Sequence, residues 1–369
     1  MKSFDRMEVI DLTNDNDNSN DNDNDNIHLD GRNDNVVDLV ENADRKRSCN
    51  DGTKDTFIIV TINIDDLKID KLISVVENIA ETMVEQDHEG GNPDLIFIQE
   101  TKLASKGAVA KVRAQIEQLG YFMHHNEILS NRYEFKHGNC LLVKKQSKLN
   151  DGGSFETFDW DLEGRVVVWK CNYGIFLGVH AATPNKKPDK ATRYRNSRTL
   201  IPKRYEQRQA FDNNIQNYIK NNREQRTVII VGDFNVSLEA RDSSGKLWST
   251  EHYEKCRERH IKLKNDCHLV DIWRFRNPTT LRRYTSWINH LEPKSQARID
   301  MILIPRTLEN DVQYIEIMDN DNFCNGARGD INRTVKFNLN HVPVVMKMAL
   351  APDMVDNRTA SSDIKRIRY

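Results

Sequence analysis

From residue 56 to about residue 350, short apolar runs alternate with longer amphipathic stretches. TFIIVTINI (56–64) and DLIFIQE (94–100, behind Pro93) are almost wholly apolar until their last polar residues, the pattern of buried strands. NCLLVKK, RVVVWK, GIFLGVH, TVIIVGDFNV (227–236), RYTSWI, ARIDMILIP and VPVVMKMAL have the same character. Between them, KLISVVENIAETMVEQ (71–86) repeats apolar residues at helical spacing through Leu72, Val75, Val76, Ile79 and Met83. GAVAKVRAQIEQLG (107–120) predicts a helix stopped by Gly120, and 204–221 predicts another. Buried strands with intervening helices predict α/β layering around one large core. Asn63, Glu100, Asp233, Asp300 and His341 fall at strand ends, where one shared rim could gather them.

The first 55 residues break this pattern. NDNDNSNDNDNDN (14–26) has no apolar residue with which to build a core, so residues 1–55 are expected to be a disordered acidic tail, 56–350 the folded domain and 351–369 a flexible basic end. The net charge of −2 hides an asymmetry. Residues 1–55 hold 15 acidic and 7 basic residues, a net of −8, and the remainder holds 41 and 47, a net of +6. A basic body under an acidic tail suits a polyanionic partner. No apolar run reaches the roughly 18 residues of a membrane span. No signal core follows Met1, so the expectation is an intracellular protein. The six cysteines are scattered without a CxxC pair, which points to reduced, buried thiols rather than disulfides or zinc.

Five segments carry the chemistry: TINIDDL (61–67), IFIQETK (96–102), IIVGDFNV (229–236), ARIDMIL (297–303) and LNHVPV (339–344). In this order and spacing the chain resembles the endonuclease/exonuclease/phosphatase family. EGRVVVWK (163–170), LVDIWRFRNP (269–278) and YTSW (284–287) bring it nearest to the abasic-site endonucleases and the endonucleases of non-LTR retroelements. The resemblance implies a four-layered α/β sandwich, two facing mixed sheets flanked by helices. It also implies a Mg2+-dependent phosphodiesterase, with Mn2+ as a substitute, because an anionic nucleophile must approach an anionic ester. By position, Glu100 matches the metal-binding glutamate and Asp65 the acid that supports it. Asp233 matches the acid that orients or deprotonates the attacking water. Asn235 and Asn63 match the amides that hold phosphate oxygens and water, His341 the phosphate-contacting histidine, and Asp300 its orienting partner.

Two departures stand out. The family's terminal Ser-Asp-His is Leu339-Asn340-His341 here, so Asn340 offers the metal a carbonyl in place of a carboxylate. The nuclease branches' Tyr-x-Pro-Asn is Ala182-Thr183-Pro184-Asn185, which leaves His180 as a candidate replacement for the tyrosine. Residues 310–335 are long for the family and are expected to be a surface insertion. Lys186, Lys187, Arg193 and Arg195, in a basic stretch running to residue 208, are candidate phosphate contacts. Arg283 and Trp287, with Tyr284, are candidates for contact with a base or an extruded sugar. The expected partner is DNA, the expected setting DNA repair in the nucleus, and the expected state a monomer. Val9-Ile10-Asp11-Leu12-Thr13 resembles a SUMO-interacting motif, a β-branched strand among acids, and Val36 to Val40 is a weaker copy. That tail makes a SUMO-recruited phosphodiesterase acting on 5′-tyrosyl DNA ends the rival reading, beside a weakly active or inactive binding relative and a detached retroelement endonuclease.

Overall fold

In the computed structural model the described residues are 54–64, 69–85, 91–103, 105–126, 138–183, 197–244, 251–281, 283–288, 295–318 and 339–353. They form two six-stranded mixed sheets with helices packed on them. In chain order the first sheet uses β1 (Asp55–Asn63), β2 (Leu95–Gln99), β3 (Tyr121–His125), β4 (Cys140–Lys144), β14 (Val312–Ile317) and β15 (Val344–Leu350). Their order across it is β14-β15-β1-β2-β4-β3. The second uses β5 (Ser154–Glu156), β6 (Val166–Cys171), β7 (Gly174–His180), β8 (Val228–Asp233), β10 (Leu269–Asp271) and β13 (Asp300–Pro305), ordered β10-β13-β8-β7-β6-β5. A three-stranded sheet joins β9 (Ser243–Ser244), β11 (Ser286–Ile288) and β12 (Ser295–Ala297). The helices are α1 (Ile69–Glu85), α2 (Lys106–Gln118), α3 (Ser197–Asn222), α4 (Glu251–Asp266) and α5 (Ile272–Arg276). The four-layered sandwich implied by the resemblance is the fold observed.

Strand periodicity decides which side chains reach the site. In the second sheet Val167, Trp169, Phe176, Ile229, Val231, Ile302 and Ile304 enter the core shared with the first sheet. Their neighbours Val166, Val168, Ile175, Leu177, Val179, Val228, Ile230, Met301 and Leu303 pack in a separate core that includes Phe211, Ile215 and Ile219 of α3 and Cys256 and Leu263 of α4. Extending the inward parity forward along β7 and β8, and back along β13, reaches His180, Asp233 and Asp300. They therefore share the inner face at one end of the sheet. α2 begins where Ser105 accepts a hydrogen bond from the Ala108 amide, and it gives way at Gly120, whose φ is 87°.

Three segments differ from the sequence reading. ARIDMILIP is two strands, because the fully buried Arg298 side chain turns the chain from the small sheet into the large one. Its Nη2 donates to Asp242 Oδ2 at 2.7 Å and Asp271 Oδ2 at 2.6 Å, and Trp273 covers its guanidinium. The stretch expected to be an insertion contributes β14 at its start, paired with β15 from Val312 to Ile317, so only its later part, 319–335, lies outside the described residues. α4 appears in a charged segment that showed no aliphatic stripe. Its buried positions are Tyr253, Cys256, His260 and Leu263, a helical spacing written in uncommon core residues. Cys140, Cys171, Cys256 and Cys267 are free and buried, while Cys49 and Cys324 lie outside the described residues. Among the described residues no helix is long and apolar enough to cross a membrane.

β7 and β8 run parallel and close at Gly232, which has φ of 141°. A methyl group there would overlap the Val179 carbonyl oxygen of the neighbouring strand. Gly232→Ala is therefore expected to lower stability by roughly 3 kcal/mol. An unchanged urea midpoint would refute that steric reading.

Candidate active site

The ends of three neighbouring strands place the acidic centre. His180 pairs with Asp233 across the parallel β7–β8 ladder, and Asp233 pairs with Asp300 across the antiparallel β8–β13 ladder. From the opposite sheet, Asn63 at the end of β1 donates through Nδ2 to Asp233 Oδ2 at 2.9 Å and to Glu100 Oε1 at 3.4 Å. His180 Nε2 lies 3.2 Å from the same Glu100 oxygen and 4.0 Å from Asp233 Oδ2. One amide and one imidazole thus stand between two carboxylates that come from different sheets.

Glu100 and Asn235 are held in uncommon backbone conformations. Glu100 has φ of 56° and Lys102 φ of 47°, in the left-handed region that costs a non-glycine residue about 1 kcal/mol or more. The surroundings enforce this bend. The Thr101 amide donates to the Gly138 carbonyl at 3.0 Å, and the Thr101 hydroxyl donates to the same oxygen at 3.1 Å. With its own proton used, that hydroxyl accepts from His125 Nε2 at 3.2 Å. Asn235 has φ of 51°, which asparagine tolerates. Its amide N–H donates to Asp233 Oδ1 at 2.7 Å and its side-chain Nδ2 to the Ala181 carbonyl at 2.7 Å.

On the other flank, His341 Nδ1 lies 2.8 Å from Asp300 Oδ2, the histidine–carboxylate pair expected from the sequence. Arg298, two residues before Asp300, is engaged with Asp242 and Asp271. Thr285 and Ser286, which the sequence reading passed over between Tyr284 and Trp287, hold this pair. Thr285 Oγ1 accepts from the Ile299 and Asp300 amides, each at 3.0 Å. Ser286 bridges His341 through the backbone, with its Oγ 3.3 Å from His341 Nε2. A small hydroxyl residue between two aromatic ones gave no periodic signal that could have found it.

Burial first, and then the charge of Asp300, push Asp233 up, His341, His180 and the Asn63 hydrogen bond draw it down, and it stands at about 6. Asp300 Oδ1 is buried without a hydrogen-bond partner among the described residues. Three carboxylates crowded at one rim, one of them with an orphaned oxygen, fit a hard divalent cation with oxygen ligands. Asp233, Asp300 and His341 present atoms within 4.8 Å of one another. His341 Nδ1 pairs with Asp300 and its Nε2 stands 3.3 Å from Ser286 Oγ, so both ring nitrogens already have polar neighbours. Glu100, whose side chain is 15% exposed, leaves the more open approach.

Asn340 is half-buried beside His341. Arg283 Nη2 donates to the Ile317 carbonyl at 2.8 Å, which ties it to β14. Trp287 lies in β11, and nothing of its side chain is described. Asp65, Lys186, Lys187, Arg193, Arg195 and the stretch from Val9 to Thr13 lie outside the described residues.

Known proteins resemble this chain to different degrees. The exodeoxyribonuclease of Streptococcus pneumoniae is 25% identical over 271 residues, covering 70% of this chain and 87% of that protein. The AP endonuclease LMAP from Leishmania major superposes with a TM-score of 0.57 at 16% identity, over 79% of this chain and 87% of that one. An AP endonuclease from Archaeoglobus fulgidus gives 0.56 at 18% identity, over 79% and 98%. The 3′ phosphatase NExo from Neisseria, solved with a product DNA hairpin, gives 0.54 at 14% identity, over 79% and 99%. At these identities the structural likeness establishes the fold. The model of the endonuclease/exonuclease/phosphatase family, whose enzymes are divalent-metal-dependent hydrolases of phosphate esters, matches residues 61–318, and the chain belongs to that family.

Proposed function

We propose that this protein is a Mg2+-dependent phosphodiesterase that cleaves DNA by in-line attack of water. The observation that carries the reading is the convergence of Asp233 with Asn63, His180 and Glu100 on one side and the Asp300–His341 pair on the other. Asp233, pushed up to about 6, suits a proton acceptor working near neutral pH. It takes a proton from a water whose oxygen bonds to phosphorus. Asn235, fixed by the Ala181 carbonyl, and Asn63 hold that water and the phosphate oxygens. His341, oriented by Asp300, faces the charge that grows on the phosphate. The ester oxygen leaves from the opposite side and is protonated from solvent. Glu100, with Asp65 and the Asn340 carbonyl, would hold the cation, whose contribution when bound is to screen the phosphate charge. His180, the replacement considered for the missing tyrosine, stands against Glu100 at hydrogen-bond distance and orients that carboxylate.

DNA is the substrate supported by the basic balance of residues 56–369 and by the family relatives that act on it. The test uses labelled duplexes: intact, with one abasic site, and with a 5′-tyrosyl end. Cutting in Mg2+ that a chelator abolishes and Mn2+ restores is expected. Preference for the abasic duplex selects repair-type incision, and preference for the tyrosyl end selects end processing. A folded, metal-supplied protein that leaves all three intact would refute the DNA reading.

A further inference from the structure

Beneath the Asp233–Asn235 turn lies a buried cation that the proposed chemistry does not use. The Arg208 side chain, on α3, is fully buried. Its Nε donates to both carboxylate oxygens of Asp212, at 2.8 and 3.0 Å, and its Nη1 donates to the Ala182 carbonyl at 2.9 Å. Nη2 has no hydrogen-bond partner among the described residues. Burying an arginine disfavours the fold unless the pairing is good, and a pair needed only to pin α3 could be replaced by apolar side chains at little loss. The position of the third partner matters more. Ala182 is the second residue beyond His180, which meets Glu100. It directly follows Ala181, whose carbonyl holds the Asn235 side chain and whose amide donates to the Asp233 carbonyl at 2.8 Å. Phe234, between the two functional residues, packs its ring 4.4 Å from that of His260, a ring that burial first and then the charge of Arg208 keep from protonating. The guanidinium thus clamps the exit of β7 from below, at the two-residue stretch that sets Asn235.

We propose that Arg208, aligned by Asp212, is a positioning residue of the hydrolytic site: it fixes the backbone at Ala181 and Ala182, and through it the side-chain amide of Asn235. The proposal rests on the phosphodiesterase reading for its kinetic consequence, though not for its geometric one. A guanidinium has the planar fork to serve Asp212 and Ala182 together, and an ammonium does not. Misplacing an amide that orients water lowers turnover without weakening the hold on the rest of the substrate.

Arg208→Lys keeps the charge and is the informative variant, with Arg208→Met beside it. For folded Arg208→Lys, kcat on the cleaved duplex is expected to fall about tenfold, with KM within about twofold of the wild type. In an Asn235→Ala background the same change is expected to have almost no further effect, because the route through Asn235 is already lost. The second readout needs no substrate: the Asn235 side-chain NH2 resonance, assigned by its loss in Asn235→Ala, shifts in Arg208→Lys while the Asn126 NH2 resonance stays. An unmoved Asn235 resonance, or a kcat per folded molecule equal to the wild type, overturns the proposal and leaves a structural ion pair. If the wild type cleaves no DNA, the functional reading fails, and the resonance alone still decides whether Arg208 sets Asn235. If Arg208→Lys does not fold, Asp212→Asn, which loosens the same guanidinium, carries both measurements with the same expected signs.

Discussion

Asp233→Asn is expected to lower turnover of the cleaved DNA by about 10³-fold, within the range of roughly 10²–10⁴ for removing a general base. The substitution is close to isosteric. The new amide oxygen can still accept from Asn63 Nδ2 or from the Asn235 amide, the two hydrogen bonds the carboxylate makes now at 2.9 and 2.7 Å. What disappears is the negative charge and the capacity to take a proton. Removing a buried carboxylate beside Asp300 also relieves repulsion, since burial and Asp300 are the two leading causes that push Asp233 up. The variant should therefore be folded, the relieved repulsion offsetting the one hydrogen bond that an amide with a single acceptor oxygen gives up, which separates loss of chemistry from loss of structure. Glu100→Gln is expected to fail differently. Its oxygen can still meet Asn63 and His180, but the loss of charge weakens the hold on a divalent cation, so part of the activity returns as Mg2+ is raised. Steady-state kinetics against Mg2+ concentration check both. An Asp233→Asn enzyme within tenfold of wild-type kcat, or one rescued by added metal, would remove Asp233 from the role of proton acceptor.

The contrast between the two residues shows what could be seen before any coordinates. Asp233 and His180 end apolar runs and Asp300 begins one. Strand parity carried them to one face because Val231, Ile302 and Phe176, two or four residues away, are core. The five segments were therefore enough to locate the centre. The parts that escaped have physical reasons. α4 hides its buried face in Tyr253, Cys256 and His260, and its surface is dense with charge, so no hydrophobic period appears. β14, with a partly exposed centre at Tyr314 to Glu316, is an edge strand that only pairing with β15 defines. Thr285 and Ser286 act through their hydroxyls on backbone amides and on His341, contacts that depend on three segments meeting and on no local pattern. Arg208 looked like one more charge in a basic run, and only its burial against Asp212 and Ala182 distinguishes it. Long-range placement of polar side chains was the missing information, whereas strand and helix assignment largely was not.

Acid is expected to destabilise this protein from about pH 6.5 downward, above the range in which carboxylates ordinarily titrate, and three histidines shielded from water are the cause. Burial first, and then Arg113, holds His124 and His125 down to about 4. Burial, then Arg208 and Lys264, holds His260 down to about 3. In the unfolded chain all three return to about 6.5. Folded values below unfolded ones mean that the stabilisation is present above pH 6.5 and is lost as pH falls toward 4 and 3, because the unfolded chain binds protons that the folded one refuses. Each histidine contributes at most about 1.4 kcal/mol per pH unit in that window. Asp233 acts in the opposite sense. Held up at about 6, it takes a proton in the folded state before the unfolded chain does, and it offsets roughly one histidine between pH 6 and 4. Asp161, Asp212 and Asp353, also raised by burial, add to that offset. The balance leaves a net loss on the order of 5 kcal/mol from pH 7 to pH 4, a large share of the roughly 5–15 kcal/mol of a typical fold. Urea midpoints across that range measure it. His260→Leu, which fills the space against Phe234 without a titrating ring, should flatten the slope by about one proton. A midpoint that holds steady or rises on acidification would mean that the buried carboxylates outweigh the histidines, and that this core is protected against acid by the same crowding of negative charge that poises Asp233.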